Sequence, residues 1–291
     1  MTRTVQHFFD SETFTLTYVI YDANSKDAII IDPVLNYDPD DSTYSFKSIE
    51  EVVQFISDQK LNVYYILDTH AHADHISGAH ELKNRLPNAK TVIGQNITKV
   101  QSVFKDVFNL SKFKTNGEQF DHLIQDGESL SANSFTVKAL FTPGHTPACV
   151  SYLVDDMVFT GDALFMPDYG TGRCDFPLGS AKDLYHSIHD KLFELPNTTR
   201  VFVGHDYMPN GRELRFETTI GEEKASNKQL QDSTTQEAFI KFRQNRDKTL
   251  KAPRLLLPSI QINIDGGRFP EAESNEMIYL KLPFSKKNTS N

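Results

Sequence analysis

Cysteines, long apolar runs and an N-terminal signal core are scarce or missing in this chain of 291 residues. The chain has two cysteines, Cys149 and Cys174, and two thiols cannot form the disulfide framework of a small secreted domain. The longest apolar runs, such as residues 28–31, have the length of a β-strand and are far shorter than a membrane span. Residues 1–7 lack the apolar core of a signal peptide, so we expect a cytoplasmic protein that binds no membrane.

Positive charge is also scarce. The chain carries 30 lysines and arginines against 39 aspartates and glutamates, which gives a formal net charge of −9. Because an acidic surface repels phosphate backbones, nucleic acid is not an expected partner. Hydrophobic residues make up 38% of the chain and charged residues 24%, a composition typical of a globular protein with a large core.

The pattern of apolar and polar residues predicts one α/β protein whose strands carry polar motifs at their ends. Capping signals predict two helices, one starting at Ser48 with Glu51 and one starting at Ser180 with Asp183. The predicted strands cover residues 14–21, 27–34, 62–67, 135–141, 150–154, 157–160 and 200–203.

Two segments are predicted along the chain. Residues 1–250 form a catalytic domain, and residues 251–291 form an extended C-terminal arm packed on the same domain. Residues 34–46 are polar and are predicted to form a loop. Within the arm, residues 260–264 alternate isoleucine with polar residues, as a strand does. The last six residues are expected to be disordered.

Five of the ten histidines fall in three short segments at predicted strand ends. Histidine nitrogens and carboxylate oxygens are ligands that suit zinc, iron and manganese. Because the segments follow different strands, their side chains are predicted to meet in one concave metal site. The other histidines are predicted to be ordinary surface or core residues. The candidate metal-binding residues are His70, His72, Asp74, His75, His145, Asp162 and His205.

The order of these motifs resembles the metallo-β-lactamase superfamily. The match begins with His-Ala-His-Ala-Asp-His at residues 70–75 and continues with His145, Asp162 and His205. It covers residues 14–207, and an ordered motif set of this kind is highly specific. The resemblance implies an α/β fold, the αββα sandwich, with the metal site at one edge between the two sheets.

Several later segments are similar to one group within this superfamily, the persulfide dioxygenases. They are residues 161–165, 172–176 and 205–207. Residues 166–177 and 257–264 resemble its bacterial branch called β-lactamase-hydrolase-like, and the latter do not resemble the helical tail of glyoxalase II. The resemblance implies oxidation of glutathione persulfide by O₂ to sulfite and glutathione, in bacterial sulfide detoxification.

The same resemblance implies one Fe²⁺ per chain, bound by His70, His145 and Asp162. Two histidines and one carboxylate on one face of Fe²⁺ leave three positions open, where the persulfide sulfur and O₂ bind side by side. The remaining candidates then hold the ligands and water by hydrogen bonds. The alternative makes them ligands of a dinuclear zinc or iron site, as in glyoxalase II, with Asp162 bridging. These second-site candidates are His72, Asp74, His75 and His205.

Substrate-binding residues are carried over from the family's pattern one by one. Glutathione has two carboxylates, for which a guanidinium is a suitable anchor, so Arg173 in Gly-Arg-x-Asp-Phe is predicted to bind it. Tyr207 occupies the family's tyrosine position and is predicted to hydrogen-bond the peptide or the sulfur. The alternative for Arg173 is a structural ion pair with Asp175 or Asp168.

The chain departs from the family's pattern at two positions near the substrate. Thr171 replaces a cysteine that many relatives have, and Gln229 replaces an arginine of the animal enzymes. Lys224 and Lys228 lie near Gln229 in the sequence, and Thr171 and Lys224 are further candidates for substrate binding. Cys174 is predicted to be a buried thiol rather than a persulfide carrier.

Together these patterns predict an iron-dependent persulfide dioxygenase. Its expected partners are O₂ and glutathione persulfide or a related low-molecular-weight persulfide, and we expect a homodimer. Two other functions are compatible with the same residues. One is a glyoxalase-II-like dinuclear metallohydrolase acting on glutathione thioesters, and the other is a non-enzymatic metal-binding regulatory protein.

Overall fold

Two mixed β-sheets of six strands each, and a third sheet of three strands, contain the strands found within residues 3–284. The structure is a computed structural model and describes residues 3–284. In chain order the strands are β1 (Thr4–Asp10), β2 (Thr15–Tyr21), β3 (Asp27–Ile31), β4 (Val34–Asp38), β5 (Thr43–Ser45), β6 (Asn62–Leu67), β7 (Ile76–Ser77), β8 (Lys90–Gly94), β9 (His122–Ile124), β10 (Ser129–Ser131), β11 (Thr136–Phe141), β12 (Val150–Val154), β13 (Met157–Phe159), β14 (Arg200–Phe202) and β15 (Glu217–Thr219).

Helices connect and cover these strands. A π-helical turn, Ile188–Leu192, and a 3₁₀ turn, Pro209–Gly211, accompany the α-helices. Within residues 3–284, no helix is long and apolar enough to cross a membrane. The α-helices are α1 (Lys47–Gln59), α2 (Ala79–Arg85), α3 (Ile97–Val107), α4 (Ala181–Ser187), α5 (Ile220–Ser226), α6 (Gln236–Asp247) and α7 (Leu256–Asn263).

The order of the strands separates the chain into an early and a late sheet. The first sheet has the order β1-β2-β3-β6-β8-β9, and the second has the order β10-β11-β12-β13-β14-β15. Strands β3, β6, β8 and β9 run parallel to one another, and β13 runs parallel to β14. Parallel strands end at the same edge of a sheet, so the polar segments that follow them are placed side by side.

Side chains of the first sheet pack in two directions. Leu16, Tyr18 and Ile20 of β2 join a core cluster with residues of the second sheet such as Tyr152. Val19, between them, packs on the other side in a cluster that includes residues of α1 and α2. Successive side chains of a strand point to opposite faces, so this sheet is buried on both. The layering confirms the predicted αββα sandwich.

Several predicted elements are confirmed. The predicted strands at residues 62–67 and 150–154 are β6 and β12, with the predicted bounds. The predicted cap of α4 is also present, since Ser180 Oγ accepts a hydrogen bond from the Asp183 backbone N at 3.1 Å. Local apolar alternation and a local cap were enough to find these elements.

The loop prediction for residues 34–46 is wrong, because β4 and β5 pair with each other there. Strand β4 also pairs with β7, which places Leu35 opposite Ile76. That pairing joins segments distant in sequence, so a local pattern cannot reveal it. The capping box at Ser48 is wrong too, because α1 begins one residue earlier and Ser48 Oγ accepts a hydrogen bond from Asn36 Nδ2 at 3.0 Å.

The strand predicted at residues 260–264 is also wrong, because this stretch lies mostly in α7. Ile260 and Ile264 pack into one apolar cluster, and Ile262 packs into another. Since α7 is buried on more than one side, its sequence lacks the single apolar stripe by which amphipathic helices are recognised.

Helix α7 connects the predicted C-terminal arm to the histidine segment. Asn263, its last residue, accepts a hydrogen bond from the Ser77 backbone N at 2.8 Å. Its Nδ2 donates to the carbonyl oxygens of His72 and His75, each at 2.8 Å. The division of the chain at residue 250 stays a prediction, and the last six residues lie outside the described part of the chain.

Candidate metal centre

The seven predicted metal-binding side chains lie together where β6, β11, β13 and β14 end. In each of two groups, one nitrogen or oxygen atom from every residue lies within 4.8 Å of those of the others. The first group, which we call the triad, consists of His70, His145 and Asp162. The second group consists of His72, Asp74, His75 and His205.

Asp32, just after β3, holds the segment that carries the first histidines. Its carboxylate accepts hydrogen bonds from the Thr69 backbone N at 2.7 Å and from Thr69 Oγ1 at 2.9 Å. It also lies 3.0 Å from His72 Nε2. Burial opposes protonation of His72, but the Asp32 carboxylate overcomes it and raises the pKa of His72 to about 9. Asp32 is not among the site residues predicted from the sequence, although a carboxylate directly after a buried strand was a usable signal.

His70 is held in the tautomer that a metal requires. Thr69 Oγ1 donates its proton to Asp32, so it accepts a hydrogen bond from His70 Nδ1 at 3.0 Å. His70 Nε2 is buried and has no hydrogen-bond partner among the described residues. Burial, and next to it the neighbouring His72, lowers the pKa of His70 well below its ordinary value. The Nε2 lone pair of a neutral His70 is therefore available to a cation.

His145 is oriented in the same manner by a different group. Its Nδ1 donates to the backbone carbonyl oxygen of Arg173 at 2.7 Å. Because a carbonyl oxygen can only accept, the proton lies on Nδ1 and Nε2 carries the lone pair when His145 is neutral. Nε2 faces the triad, 3.5 Å from Asp162 Oδ2.

His205 lies between two carboxylates of the site. Its Nε2 is 3.0 Å from Asp74 Oδ2 and 3.3 Å from Asp162 Oδ1. Burial lowers the pKa of His205, but Asp74 and then Asp162 raise it to about 10. Conversely, burial raises the pKa of Asp162, but His205 outweighs it and holds this pKa well below its ordinary value. Asp162 is therefore ionised at neutral pH.

The atoms that face the centre fit a bound cation. Buried polar atoms are normally hydrogen-bonded, since an unpaired one costs about 1–3 kcal/mol. Imidazole nitrogens and carboxylate oxygens are suitable ligands for Fe²⁺ and Zn²⁺. The donor set fits one ion at the triad, and it also fits a second ion beside it. Within residues 3–284, the buried atoms at the centre without a hydrogen-bond partner include His70 Nε2, His72 Nδ1 and His75 Nε2, while Asp74 Oδ2 and Asp162 Oδ1 lie against His205 Nε2.

A cavity of about 480 Å³ leads to the triad. His145, Asp162 and Asp74 line its inner end. Although the chain is acidic overall, cations outnumber carboxylates in the cavity wall. An anionic ligand is therefore favoured at this entrance. The cations are Arg173, Lys228, Arg243, Arg246 and Arg254, and the carboxylates are Glu12, Asp74 and Asp162.

Three of the four predicted substrate-binding residues line this cavity, and two of them are Tyr207 and Thr171. The Tyr207 ring stacks on Tyr169 with centroids 4.7 Å apart and lies 5.7 Å from the His205 ring. Burial raises the pKa of Tyr207 well above its ordinary value, so its hydroxyl stays protonated. Thr171 is buried, and its backbone N and Oγ1 both donate to Gln229 Oε1 at 3.1 Å.

Of the other two predicted substrate-binding residues, one lines the cavity but is already paired, and the other lies away from the cavity wall. Arg173 lines the cavity, but its Nε and Nη2 donate to the two oxygens of Asp175 at 2.5 and 2.6 Å. This ion pair is the alternative considered for Arg173. The structure does not bring Lys224 to the cavity wall, since its Nζ lies over the Phe193 ring, 5.9 Å from the centroid. Lys228, which was not predicted as a substrate-binding residue, lines the cavity.

Two cations of α6 also lie at the site and were not predicted from the sequence. Arg243 and Arg246 both line the cavity. Residues three apart share one face of a helix, so their spacing was a usable signal once α6 was recognised. The two cysteines are buried, and burial raises the pKa of Cys149 to about 12 and also raises that of Cys174. Neither thiol is therefore a ready thiolate, in agreement with the prediction of a buried thiol.

Comparison with known proteins gives consistent results. A family profile described as Metallo-beta-lactamase superfamily matches residues 11–205. The chain is 48% identical over 283 residues to "Glyoxylase B2" of Dictyostelium discoideum, and 97% of each protein is covered. It is 44% identical over 286 residues to "Beta-lactamase hydrolase-like protein" of Xylella fastidiosa, covering 98% of this chain and 65% of that protein.

A third relative and a solved structure share the name ETHE1. The chain is 35% identical over 243 residues to "Persulfide dioxygenase ETHE1, mitochondrial" of Homo sapiens, covering 83% of this chain and 80% of that protein. The structure described as "Crystal structure of ETHE1 from Myxococcus xanthus" has a TM-score of 0.73 and 32% identity, covering 91% of this chain and 100% of that one. These similarities confirm the resemblance inferred from the motifs.

Proposed function

The chain belongs to the metallo-beta-lactamase superfamily, and we propose that it is an iron-dependent persulfide dioxygenase. In the proposed reaction, glutathione persulfide, O₂ and water give glutathione and sulfite. The S–S bond breaks, and the terminal sulfur gains three oxygen atoms. O₂ takes up the four electrons that the persulfide loses, and two protons accompany the sulfite. The predicted role is sulfide detoxification.

The observation that supports this function best is the triad at the inner end of a cation-lined cavity. His70, His145 and Asp162 would hold Fe²⁺ through His70 Nε2, His145 Nε2 and a carboxylate oxygen. When bound, Fe²⁺ supplies neighbouring open positions for a sulfur ligand and O₂ and exchanges electrons with them. Thr69 and the Arg173 carbonyl keep both Nδ1 atoms protonated, which directs both lone pairs toward the triad.

The surrounding residues control protons and water. His205 would hold a proton at Nε2, between Asp74 and Asp162. The rings of Tyr169 and Tyr207 stack on one another at the cavity wall. Aromatic rings at this position exclude water from the inner end of the cavity, which protects a reactive sulfur species from side reactions.

Lys228 and Arg246 are the proposed anchors for the two carboxylates of glutathione persulfide. Both line the cavity, and neither pairs with a carboxylate within residues 3–284. Arg173 and Arg243 are already paired with Asp175 and Asp247. The uncommitted cations are therefore better placed to accept an incoming carboxylate than Arg173, which the sequence pattern favours.

The proposal is tested by purifying the protein without oxygen and measuring bound metal together with O₂ uptake. We expect about one Fe²⁺ per chain and O₂ consumption with glutathione persulfide. Asp162→Ala should lose both iron and activity, since it removes the only carboxylate of the triad. Stoichiometric zinc without O₂ uptake would overturn the proposal.

A dinuclear metallohydrolase that acts on glutathione thioesters is the second candidate. It is favoured by the second group of possible ligands beside the triad, in which His75 Nε2 has no hydrogen-bond partner within residues 3–284, and by the similarity to "Glyoxylase B2". This function predicts two zinc or iron ions per chain, with Asp162 bridging them. It also predicts thioester hydrolysis without O₂, which a parallel assay under argon separates from the first proposal.

Three further expectations remain predictions. A non-enzymatic, metal-binding regulatory role predicts a metal-loaded protein that is inert toward persulfides and thioesters alike. The homodimer is tested by the mass of the protein in solution. The cytoplasmic location is tested by fractionation of cells that produce the full chain.

A further inference from the structure

Helix α6 holds the loop that orients the triad, although it lies outside the residues that match the family profile. Arg243 and Asp247 of α6 form a buried ion pair. Asp247 Oδ2 accepts a hydrogen bond from the Cys174 backbone N at 2.9 Å, and Arg243 Nη1 donates to the Thr171 carbonyl oxygen at 3.3 Å. The 169–175 loop is thus tied to α6 at two points.

Gln229 adds further ties to the same loop. Its Oε1 accepts hydrogen bonds from Arg243 Nη1 at 2.8 Å and from both the backbone N and Oγ1 of Thr171 at 3.1 Å. Its Nε2 donates to the Tyr169 carbonyl oxygen at 2.7 Å. Gln229, Arg243 and Asp247 therefore form one connected network that contacts the loop at residues 169, 171 and 174.

The other side of the loop contacts two members of the triad. The carbonyl oxygen of Arg173 accepts the hydrogen bond from His145 Nδ1 at 2.7 Å. Gly172 packs so closely on the Asp162 backbone that a Cβ at this position would lie 2.0 Å from the Asp162 carbonyl oxygen. Because of these two contacts, a shift of the loop would change the direction of His145 Nε2 or move Asp162.

Stability alone does not account for a buried ion pair at this place. Two charges lose their hydration on burial, and apolar residues of similar volume are often equally stabilising or more so. The Arg243–Asp247 pair instead places further hydrogen-bonding atoms against the loop. Asp247 Oδ2 accepts from the Cys174 backbone N, and Arg243 Nη1 donates to the Thr171 carbonyl oxygen and to Gln229 Oε1. We propose that Gln229, Arg243 and Asp247 are positioning residues that set the geometry, and hence the metal affinity, of the triad. The inference rests on the proposed metal site but not on the proposed reaction.

The test replaces the ion pair by apolar residues of similar volume, Arg243→Met with Asp247→Leu. The Arg3–Asp22 pair gives a matched control, because its side chains are 7% and 3% exposed, against 3% and 7% for Arg243 and Asp247. Asp22 also accepts backbone hydrogen bonds, from Asn24 and Ser25. The control pair is far from the metal site. Thr15 at the start of β2 contacts His205, whereas Asp22 follows the other end of this strand, about 20 Å away from Thr15.

Co²⁺ alone is the probe, titrated into metal-free protein against a competing chelator. Partners that orient metal ligands typically contribute about 10–100-fold in affinity, so we expect a loss of this size in the α6 double variant. The visible absorption of bound Co²⁺ should also change, which a merely structural role would not cause. Gln229→Met removes no charge and should produce the same direction of change. The control, Arg3→Met with Asp22→Leu, should change the melting temperature and leave the Co²⁺ affinity unaltered.

The outcomes separate this inference from the function. Co²⁺ affinity and spectrum equal to those of the wild type in both α6-network variants would overturn the inference while leaving the dioxygenase intact. An equal loss in the control would overturn it as well, since the effect would then be general destabilisation. If His70→Ala binds Co²⁺ as tightly as the wild type, the metal site itself is wrong and the inference fails with it. Loss of affinity in the network variants of a protein that consumes no O₂ would support the inference and refute only the reaction.

Discussion

Substitution of Thr69 by valine tests the hydrogen-bond chain that fixes the tautomer of His70. Thr69 Oγ1 donates to Asp32 at 2.9 Å and accepts from His70 Nδ1 at 3.0 Å, and valine has the same shape without the hydroxyl. The change leaves a carboxylate oxygen and an N–H group unpaired in a buried site. Each unpaired buried group costs about 1–3 kcal/mol, so for the two groups we expect the free energy of unfolding to fall by about 2–6 kcal/mol.

Metal affinity should fall in the same variant. Without its acceptor, His70 Nδ1 no longer fixes the proton, and the tautomer with the proton on Nε2 cannot bind a metal. Loss of such a partner typically lowers affinity about 10–100-fold, which corresponds to about 1.4–2.8 kcal/mol. Urea unfolding and Co²⁺ titration of the metal-free protein measure the two effects.

Thr17→Val is the matched control for this prediction. Thr17 is buried like Thr69, and its Oγ1 also donates to Asp32, but to the backbone carbonyl oxygen, at 2.8 Å. It should destabilise the protein and leave Co²⁺ affinity unchanged. The reasoning is refuted if Thr69→Val binds Co²⁺ within twofold of the wild type, or if Thr17→Val weakens binding equally.

Three other predictions concern the substrate, a buried carboxyl group and the metal. Lys228→Gln and Arg246→Gln should each raise KM for glutathione persulfide about twofold to fivefold in steady-state assays with kcat unchanged, the size expected for loss of one exposed ion pair with a substrate carboxylate. Lys224→Gln is the control and should leave KM unchanged. Burial raises the pKa of Asp265 to about 6, so ionisation of this carboxyl group lowers the stability of the fold as pH rises from about 4 through about 6. Asp265→Asn should therefore raise the melting temperature at about pH 8 and have little effect at about pH 4. Removal of metal with a chelator should lower the melting temperature, and metal at 100 times Kd should add about 2.7 kcal/mol of stability, because it binds the folded state and not the unfolded chain. Equal melting curves with and without metal would contradict this.

The clustering of the seven candidate metal-binding side chains was largely predictable because its signals are local. His70, His72 and His75 lie in one short segment, and His145 and Asp162 each follow a strand with clear apolar alternation. A strand end fixes where the next side chains go, so the strand pattern and the residue types together predicted that these groups meet.

The contacts that support the centre were not predictable in the same way. Asp32 reaches Thr69 across two neighbouring strands, and Asp247 of α6 reaches Cys174. Such partners are distant in sequence and carry no local pattern. For Arg173 the substrate-binding role stays a prediction, since its side chain lines the cavity and its guanidinium also pairs with Asp175, the alternative that the sequence left open. Helix α7 was mistaken for a strand because burial on several sides removed its periodicity.

The most direct test of the proposed function is the stoichiometry of the reaction catalysed by the iron-loaded protein. An oxygen electrode and a sulfite assay are applied to the same sample, with glutathione persulfide as the limiting substrate and Asp162→Ala as the control. We predict one O₂ consumed and one sulfite formed per persulfide, and neither in the control. Absence of O₂ uptake, together with hydrolysis of a glutathione thioester under argon, would contradict the dioxygenase and favour the dinuclear hydrolase.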